Sequence, residues 1–121
     1  MSLSIIIVNY KSASLVIDCL RSIFDQNSVL QFELIVVDND SKDNSNEKIK
    51  ELFPQVTYLE MNYNSGFARA NNEAIRRSSG DTVLLLNADT IIENNAIEKC
   101  YEEFINSTFI ACGVQLLNPD G

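Results

Sequence analysis

Four short polar stretches carry the side chains of this 121-residue chain that could do chemistry. Asn87-Ala88-Asp89 follows the apolar run Val83-Leu84-Leu85-Leu86 and has the form of an acid-x-acid metal loop whose first acid is an amide. A carboxylate on such a support suits Mg²⁺ or Mn²⁺, hard ions that take one or two protein carboxylates and fill their shell with water and phosphate oxygens. Asp89 is the candidate metal ligand. Asp38-Asn39-Asp40-Ser41 follows a second apolar run, Leu34-Ile35-Val36-Val37, and Asn9-Tyr10-Lys11 follows a third. Taken singly, Asp and Asn after a strand are the residues that make Asx-turns and helix caps. Three such ends in one chain exceed what turn chemistry needs. The fourth stretch is Asn64-Ser65-Gly66-Phe67-Ala68-Arg69. Its Gly66 permits positive φ or close backbone approach, where the free N–H groups of a helix start could face an anion. Arg69 stands open, whereas Arg76 and Arg77 complement the end of the same helix.

Composition narrows the field. Nine Lys plus Arg against seventeen Asp plus Glu give a net charge of −8, with no basic run, which argues against nucleic acid and anionic membrane as partners. There is no His, so triads, zinc sites and proton shuttles that need imidazole are excluded. No apolar run approaches the roughly 18 residues of a membrane helix, and the first ten residues lack the basic start of a signal peptide. Cys19, Cys100 and Cys112 are widely spaced without a C-x-x-C pair and read as small buried hydrophobes in a reducing compartment. No G-x-G-x-x-G follows the first apolar run, and neither a P-loop nor a G-x-S-x-G elbow is present.

Strands and helices must position these residues, and the chain alternates them. Ile5–Val8 is a β-branched run without alternation, the pattern of a strand covered on both faces; Leu34–Val37 and Val83–Leu86 read alike. Val56–Leu59 is a weaker strand and Phe109–Leu116 a fifth. Val16, Cys19, Leu20, Ile23 and Phe24 recur with helical spacing behind Ser12 or Ser14 as N-cap. Asn44 and Glu47 have capping-box spacing for a helix with Ile49, Leu52 and Phe53, which Pro54 stops. Phe67, Ala70, Asn71, Ala74 and Ile75 mark a third helix, and Ile97, Cys100, Tyr101, Phe104 and Ile105 a fourth. This order predicts an α/β fold: one domain over residues 1–121, a mostly parallel sheet with helices on both faces. Ligands of such sheets bind beyond the carboxyl ends of the strands, where strand order reverses.

Read together, Ser4-Ile5-Ile6-Ile7-Val8-Asn9-Tyr10, Leu34 through Ser41, Asn64-Ser65-Gly66-Phe67-Ala68 with Asn71-Asn72, and Gly80-Asp81 through Asn87-Ala88-Asp89-Thr90 resemble glycosyltransferase family 2, especially its rhamnosyltransferase-like members. The resemblance spans nearly the whole chain. It implies a GT-A fold, a UDP- or dTDP-sugar donor, a divalent metal, inversion at the anomeric carbon, and a glycan or lipid-linked acceptor. By position, Asn9 and Tyr10 would line the base and ribose pocket, Asp38 would bond the pyrimidine, and Asn64 and Gly66 would border the nucleotide. Asp89 would hold the metal, beside Asn87. Asp40 and Arg69 complete the expected donor-binding set. The family is longer than this chain, and its catalytic base and acceptor half follow the region present here. The chain therefore reads as the nucleotide-sugar-binding half, with no catalytic base of its own, cytoplasmic or at the inner face of the plasma membrane in the full protein. Two rival readings are a nucleotide-binding module without catalysis and a phosphorelay receiver. The receiver's acid pair, phosphoacceptor and lysine would fall on Asn9-Tyr10, Met61-Asn62 and Asn118, which do not supply them.

Overall fold

The β-branched runs become the middle of a parallel sheet. In the computed structural model, which describes residues 2–113, β1 spans Leu3–Asn9, β2 Phe32–Asp38, β3 Thr57–Glu60 and β4 Thr82–Leu86. They lie in the order β3-β2-β1-β4, with every neighbouring pair parallel. Ile5, Ile6, Ile7, Val36 and Val37 are fully shielded from water. Burying side chains of this size stabilises by roughly 1.5–3 kcal/mol each, enough to fix β1 and β2 as the centre.

Four helices cover the sheet: α1 (Ala13–Phe24), α2 (Ser45–Leu52), α3 (Phe67–Arg77) and α4 (Ala96–Ile105). Val16, Cys19, Leu20 and Ile23 of α1, Ile49 of α2 and Tyr101 of α4 share one core with Ile5, Ile7 and Val36. Ala70 and Ala74 of α3 pack on the opposite face against Ile6, Ile35 and Val37. Small residues let α3 sit close to the sheet, leaving Phe67 and Ile75 at its flanks exposed although they belong to the same sequence stripe.

The chain builds β1, β2 and β3 outward in one direction, then returns to place β4 on the other side of β1. Strand order therefore reverses between β1 and β4, the position where α/β sheets open a crevice. That order also differs from the 2-1-3-4-5 order of flavodoxin-like folds, to which the receiver reading would belong.

Some expectations change. The fifth strand does not begin at Phe109: residues 109–113 carry no strand, and the remainder of that segment lies outside the described residues. Asn44 occupies the N-cap position of α2 without a side-chain cap; Asp43 instead accepts from the backbone N–H and hydroxyl of Ser45. Ser12 is the N-cap of α1 but turns its hydroxyl to the Tyr10 carbonyl. Of the cysteines only Cys19 is buried, and Cys112 is exposed.

A polar clasp closes the sheet's N-terminal edge. The Ser4 hydroxyl donates to Glu33 (2.7 Å), Ser79 donates its N–H and hydroxyl to the same carboxylate, and the Gly80 N–H donates to Ser4. Gly80 approaches so closely that a Cβ would lie 2.7 Å from the Ser4 nitrogen, so only glycine fits. No helix among the described residues is long and apolar enough to cross a membrane.

Candidate functional site

At the carboxyl edge, the ends of β1 and β2 are joined side by side by register, Asn9 opposite Asp38. Asn9 is fully buried. Its Nδ2 donates to Asp38 (2.9 Å) and faces the Tyr58 hydroxyl of β3 at 3.4 Å, while its Oδ1 accepts from the Ser12 N–H. The Asp38 carboxylate, 7% exposed, also accepts from the N–H and hydroxyl of Ser41, and the Ser41 hydroxyl accepts from the Lys11 N–H. Burial raises the Tyr58 phenol above its ordinary value, opposed by the Asn9 bond and reinforced by the charge of Asp38. Asn9 and Asp38 thus point inward and hold the rim together. The Asp38 carboxylate accepts three bonds from the protein's own donors.

Asn39 extends this lattice across to α3. Its Oδ1 accepts from the N–H (2.8 Å) and the hydroxyl (2.9 Å) of Ser65, and its Nδ2 donates to Asn64 (2.9 Å). Only 4% of Asn39 is exposed. Gly66 then caps α3 at φ 84° and ψ 163°, a region open essentially to glycine alone. Arg69, one helical position beyond Ala68, is exposed and forms no ion pair among the described residues. Arg76 and Arg77 both pair with Glu73, surface pairs of the kind that contribute little.

Tyr10 is 43% exposed at the rim, with the Lys11 ammonium 5.3 Å from its ring centre. Asp40 sits outside the lattice at φ 65°, with Lys42 at 3.7 Å. Lys11 and Lys42 are likewise left-handed, so three non-glycine residues adopt that conformation in two touching loops. Such conformations cost of order 1–3 kcal/mol each and persist where surrounding bonds over-determine them, as Ser41 does here.

Beyond β4 the chain turns at Asn87, whose carbonyl accepts from the Thr90 N–H. It then runs along α1: the Ser22 hydroxyl accepts from the Ile92 N–H, and Gln26 bonds both Ile92 and Asn95. Asn87 and Asp89 are exposed, on the α1 side of the switch point. Burial, with the Asp89 carboxylate adding, pushes the Cys19 thiol of α1 up to about 12. No group of three or more Asp, Glu, Cys or His side chains that could hold a metal exists among the described residues. A closed protein cage is therefore absent from that region. One exposed carboxylate beside a carboxamide does fit a hard cation that draws its other ligands from a diphosphate and water.

Of the expected residues, Asn9 and Asp38 form one lattice and Asn64 joins it through Asn39. Gly66 donates its N–H to Asn64, and among the described residues the side chains of Tyr10, Asp40, Arg69, Asn87 and Asp89 make no hydrogen bond to the lattice. Asn39, Ser41 and Tyr58 were absent from the expected set. Asn39 and Ser41 carried a signal, their place inside the Asp38–Ser41 run, and Tyr58 carried none. The hollow beside β3, about 390 Å³ and lined by Leu59, Met61, Tyr63, Glu73 and Arg77 among others, opens at the sheet's far edge, away from the switch point.

The chain matches the Glycosyl transferase family 2 domain over residues 4–120. It is 32% identical over 124 residues to chondroitin synthase of Pasteurella multocida (strain Pm70), an alignment covering 98% of this chain and 13% of that protein. Its fold is similar to that of S. aureus TarS 1-349 in complex with UDP-GlcNAc, with TM-score 0.75 and 24% identity over 84% of this chain and 30% of that one. It is equally similar to mannosyltransferase PcManGT from Pyrobaculum calidifontis in complex with GDP-Man and Mn²⁺, with TM-score 0.76 and 24% identity over 88% of this chain and 32% of that one. The chain spans a third or less of the length of each of these three proteins. A GT-A sheet and a family match from Ser4 almost to its last residue lead to one conclusion: the chain belongs to glycosyltransferase family 2.

Proposed function

We propose that this chain is the donor-binding half of an inverting glycosyltransferase that takes a UDP- or dTDP-sugar, rhamnose among the candidate sugars, and serves polysaccharide or cell-surface glycan synthesis. The family match over residues 4–120 carries this reading. TarS with UDP-GlcNAc and PcManGT with GDP-Man support a nucleotide-sugar ligand. The nucleoside diphosphate would lie at the switch point between β1 and β4, with Tyr10, Asn64, Gly66 and Arg69 on one side and Asn87 and Asp89 on the other. Asn9 and Asp38 would hold those loops from beneath, and Asp40 would shape the turn between them.

The chemistry is a single displacement, in which an acceptor hydroxyl of a glycan or lipid-linked carrier forms a bond to the anomeric carbon as the bond to the diphosphate breaks. A carboxylate outside residues 1–121 takes the hydroxyl proton. This chain's residues bind and orient the donor. A divalent cation, Mg²⁺ or Mn²⁺, held by Asp89 with Asn87 beside it, would neutralise charge on the leaving diphosphate. With a net charge of −8, the chain needs such a cation, or Arg69, to accept a diphosphate at all. The full protein would work in the cytoplasm or at the inner face of the plasma membrane.

Titration calorimetry with UDP, dTDP and GDP, each with and without MnCl₂, tests the reading. Wild type is expected to bind a pyrimidine diphosphate roughly tenfold more tightly with Mn²⁺, and Asp89→Ala to lose that increment while keeping its circular dichroism. Absence of binding to all three nucleotides would sink the donor-binding reading. An undiminished Mn²⁺ increment in Asp89→Ala would sink only the metal assignment.

A further inference from the structure

Among the described residues, Asn39 is the one side chain at the end of β2 that bonds the turn ahead of α3. Its two partners lie 25 and 26 residues away in sequence. Both lone pairs of Oδ1 are taken by Ser65, and one of the two Nδ2 hydrogens goes to Asn64, so only one N–H remains free. The backbone is committed as well: the Asn39 N–H donates to the Asn9 carbonyl at 2.8 Å. A residue engaged on both sides in this way sets the distance between two loops. Asn64 also accepts from the Gly66 N–H at 3.3 Å, so the clasp reaches the residue whose backbone conformation starts α3.

We propose that Asn39 is a positioning residue for donor binding: its clasp on Asn64 and Ser65 holds the α3 lead-in turn in register with the ends of β1 and β2. This rests on the nucleotide-binding reading above. Without the clasp the turn must find its own place, and loose placement of binding groups weakens affinity steeply. The Ser65 amide reports the clasp directly, because its N–H donates to the Asn39 Oδ1 and is protected from exchange while that bond holds.

The experiment is calorimetry on the full chain with UDP, dTDP and GDP in the presence of MnCl₂, alongside amide hydrogen exchange without nucleotide. Three proteins are compared: wild type, Asn39→Ala and Glu33→Gln, the last weakening the opposite edge of the sheet. In Asn39→Ala the affinity for whichever nucleotide wild type binds best is expected to fall about tenfold, and the Ser65 amide to exchange faster. Glu33→Gln is expected to match wild type in both measurements. Wild-type affinity in Asn39→Ala, or an equal loss in Glu33→Gln, overturns the proposal while leaving the nucleotide reading intact. A loss of affinity in Asn39→Ala with the Ser65 amide exchanging as in wild type also overturns it, because the loss would then follow a direct contact and not the clasp. If wild type binds none of the three nucleotides, the underlying reading fails and the proposal with it.

Discussion

Gly66 and Asp40 both hold positive φ at the rim, the first with the residue type that suits its conformation and the second without it. Gly66 at φ 84° and ψ 163° meets nothing within 4 Å of a would-be Cβ, so the cost of a side chain there is conformational and not steric. Gly66→Ala is expected to destabilise by about 1–3 kcal/mol. Asp40 at φ 65° is an aspartate in a left-handed position that glycine adopts freely. Its ion pair to the exposed Lys42 is worth little. Asp40→Gly is expected to leave stability unchanged or raise it by up to ~1 kcal/mol. Urea denaturation of the two variants checks both signs. A destabilised Asp40→Gly would mean that the carboxylate makes interactions beyond the turn. These positions also mark what one sequence can and cannot reveal at this scale. Gly66 was legible because glycine before an apolar stripe has few other uses. Asn39 was not legible as a clasp, since an Asx residue after a strand reads as a turn former and its partners are 25 residues distant.

The strands and helices divide their polar side chains between two edges with different work. Glu33 at the N-terminal edge receives the Ser79 N–H first of all, then the Ser4 and Ser79 hydroxyls, and these outweigh its partial burial to hold its carboxyl below the ordinary 4.5. A carboxyl lowered in the folded state contributes stability above the unfolded value, and that contribution is lost as pH falls through the folded value. Wild type is therefore expected to lose stability more steeply below about pH 4.5 than Glu33→Gln, by a modest increment because water screens this carboxylate. Thermal melts from pH 3 to 7 would show this. Parallel pH profiles would remove Glu33 as a contributor to acid unfolding. Most elements were legible because β1, β2 and β4 are unbroken apolar runs and α1 has an unmistakable stripe. Caps were less so. Asp43 and Asn44 stand side by side, both able to cap α2, and only the geometry of the Ser45 amide decides between them. That residues 109–113 carry no strand was not legible for a similar reason, since Phe109–Leu116 has strand composition whether or not those residues pair.

Across the whole molecule the sheet is assembled from contacts of very different reach. β1 meets β2 across a separation of 29 residues, as in the Ser4–Glu33 bond, but meets β4 across 79, as in the Ser2–Asp81 bond. Closing the longer loop costs more entropy before any contact offsets it, and distant pairings slow folding. Substitutions that shorten side chains in β4, such as Leu84→Ala, are expected to accelerate unfolding with little effect on refolding, whereas Ile7→Ala should slow refolding. Stopped-flow measurements in urea would decide; equal φ-values of the two variants would contradict this order of events. The reversal of strand order between β1 and β4 thus has a temporal side. On that predicted order the edge that carries Asn87 and Asp89 joins after β1, β2 and β3, so a chain emerging from the ribosome would have its hydrophobic centre before both walls of its crevice, and no ligand that needs both walls could assist its folding until that closure.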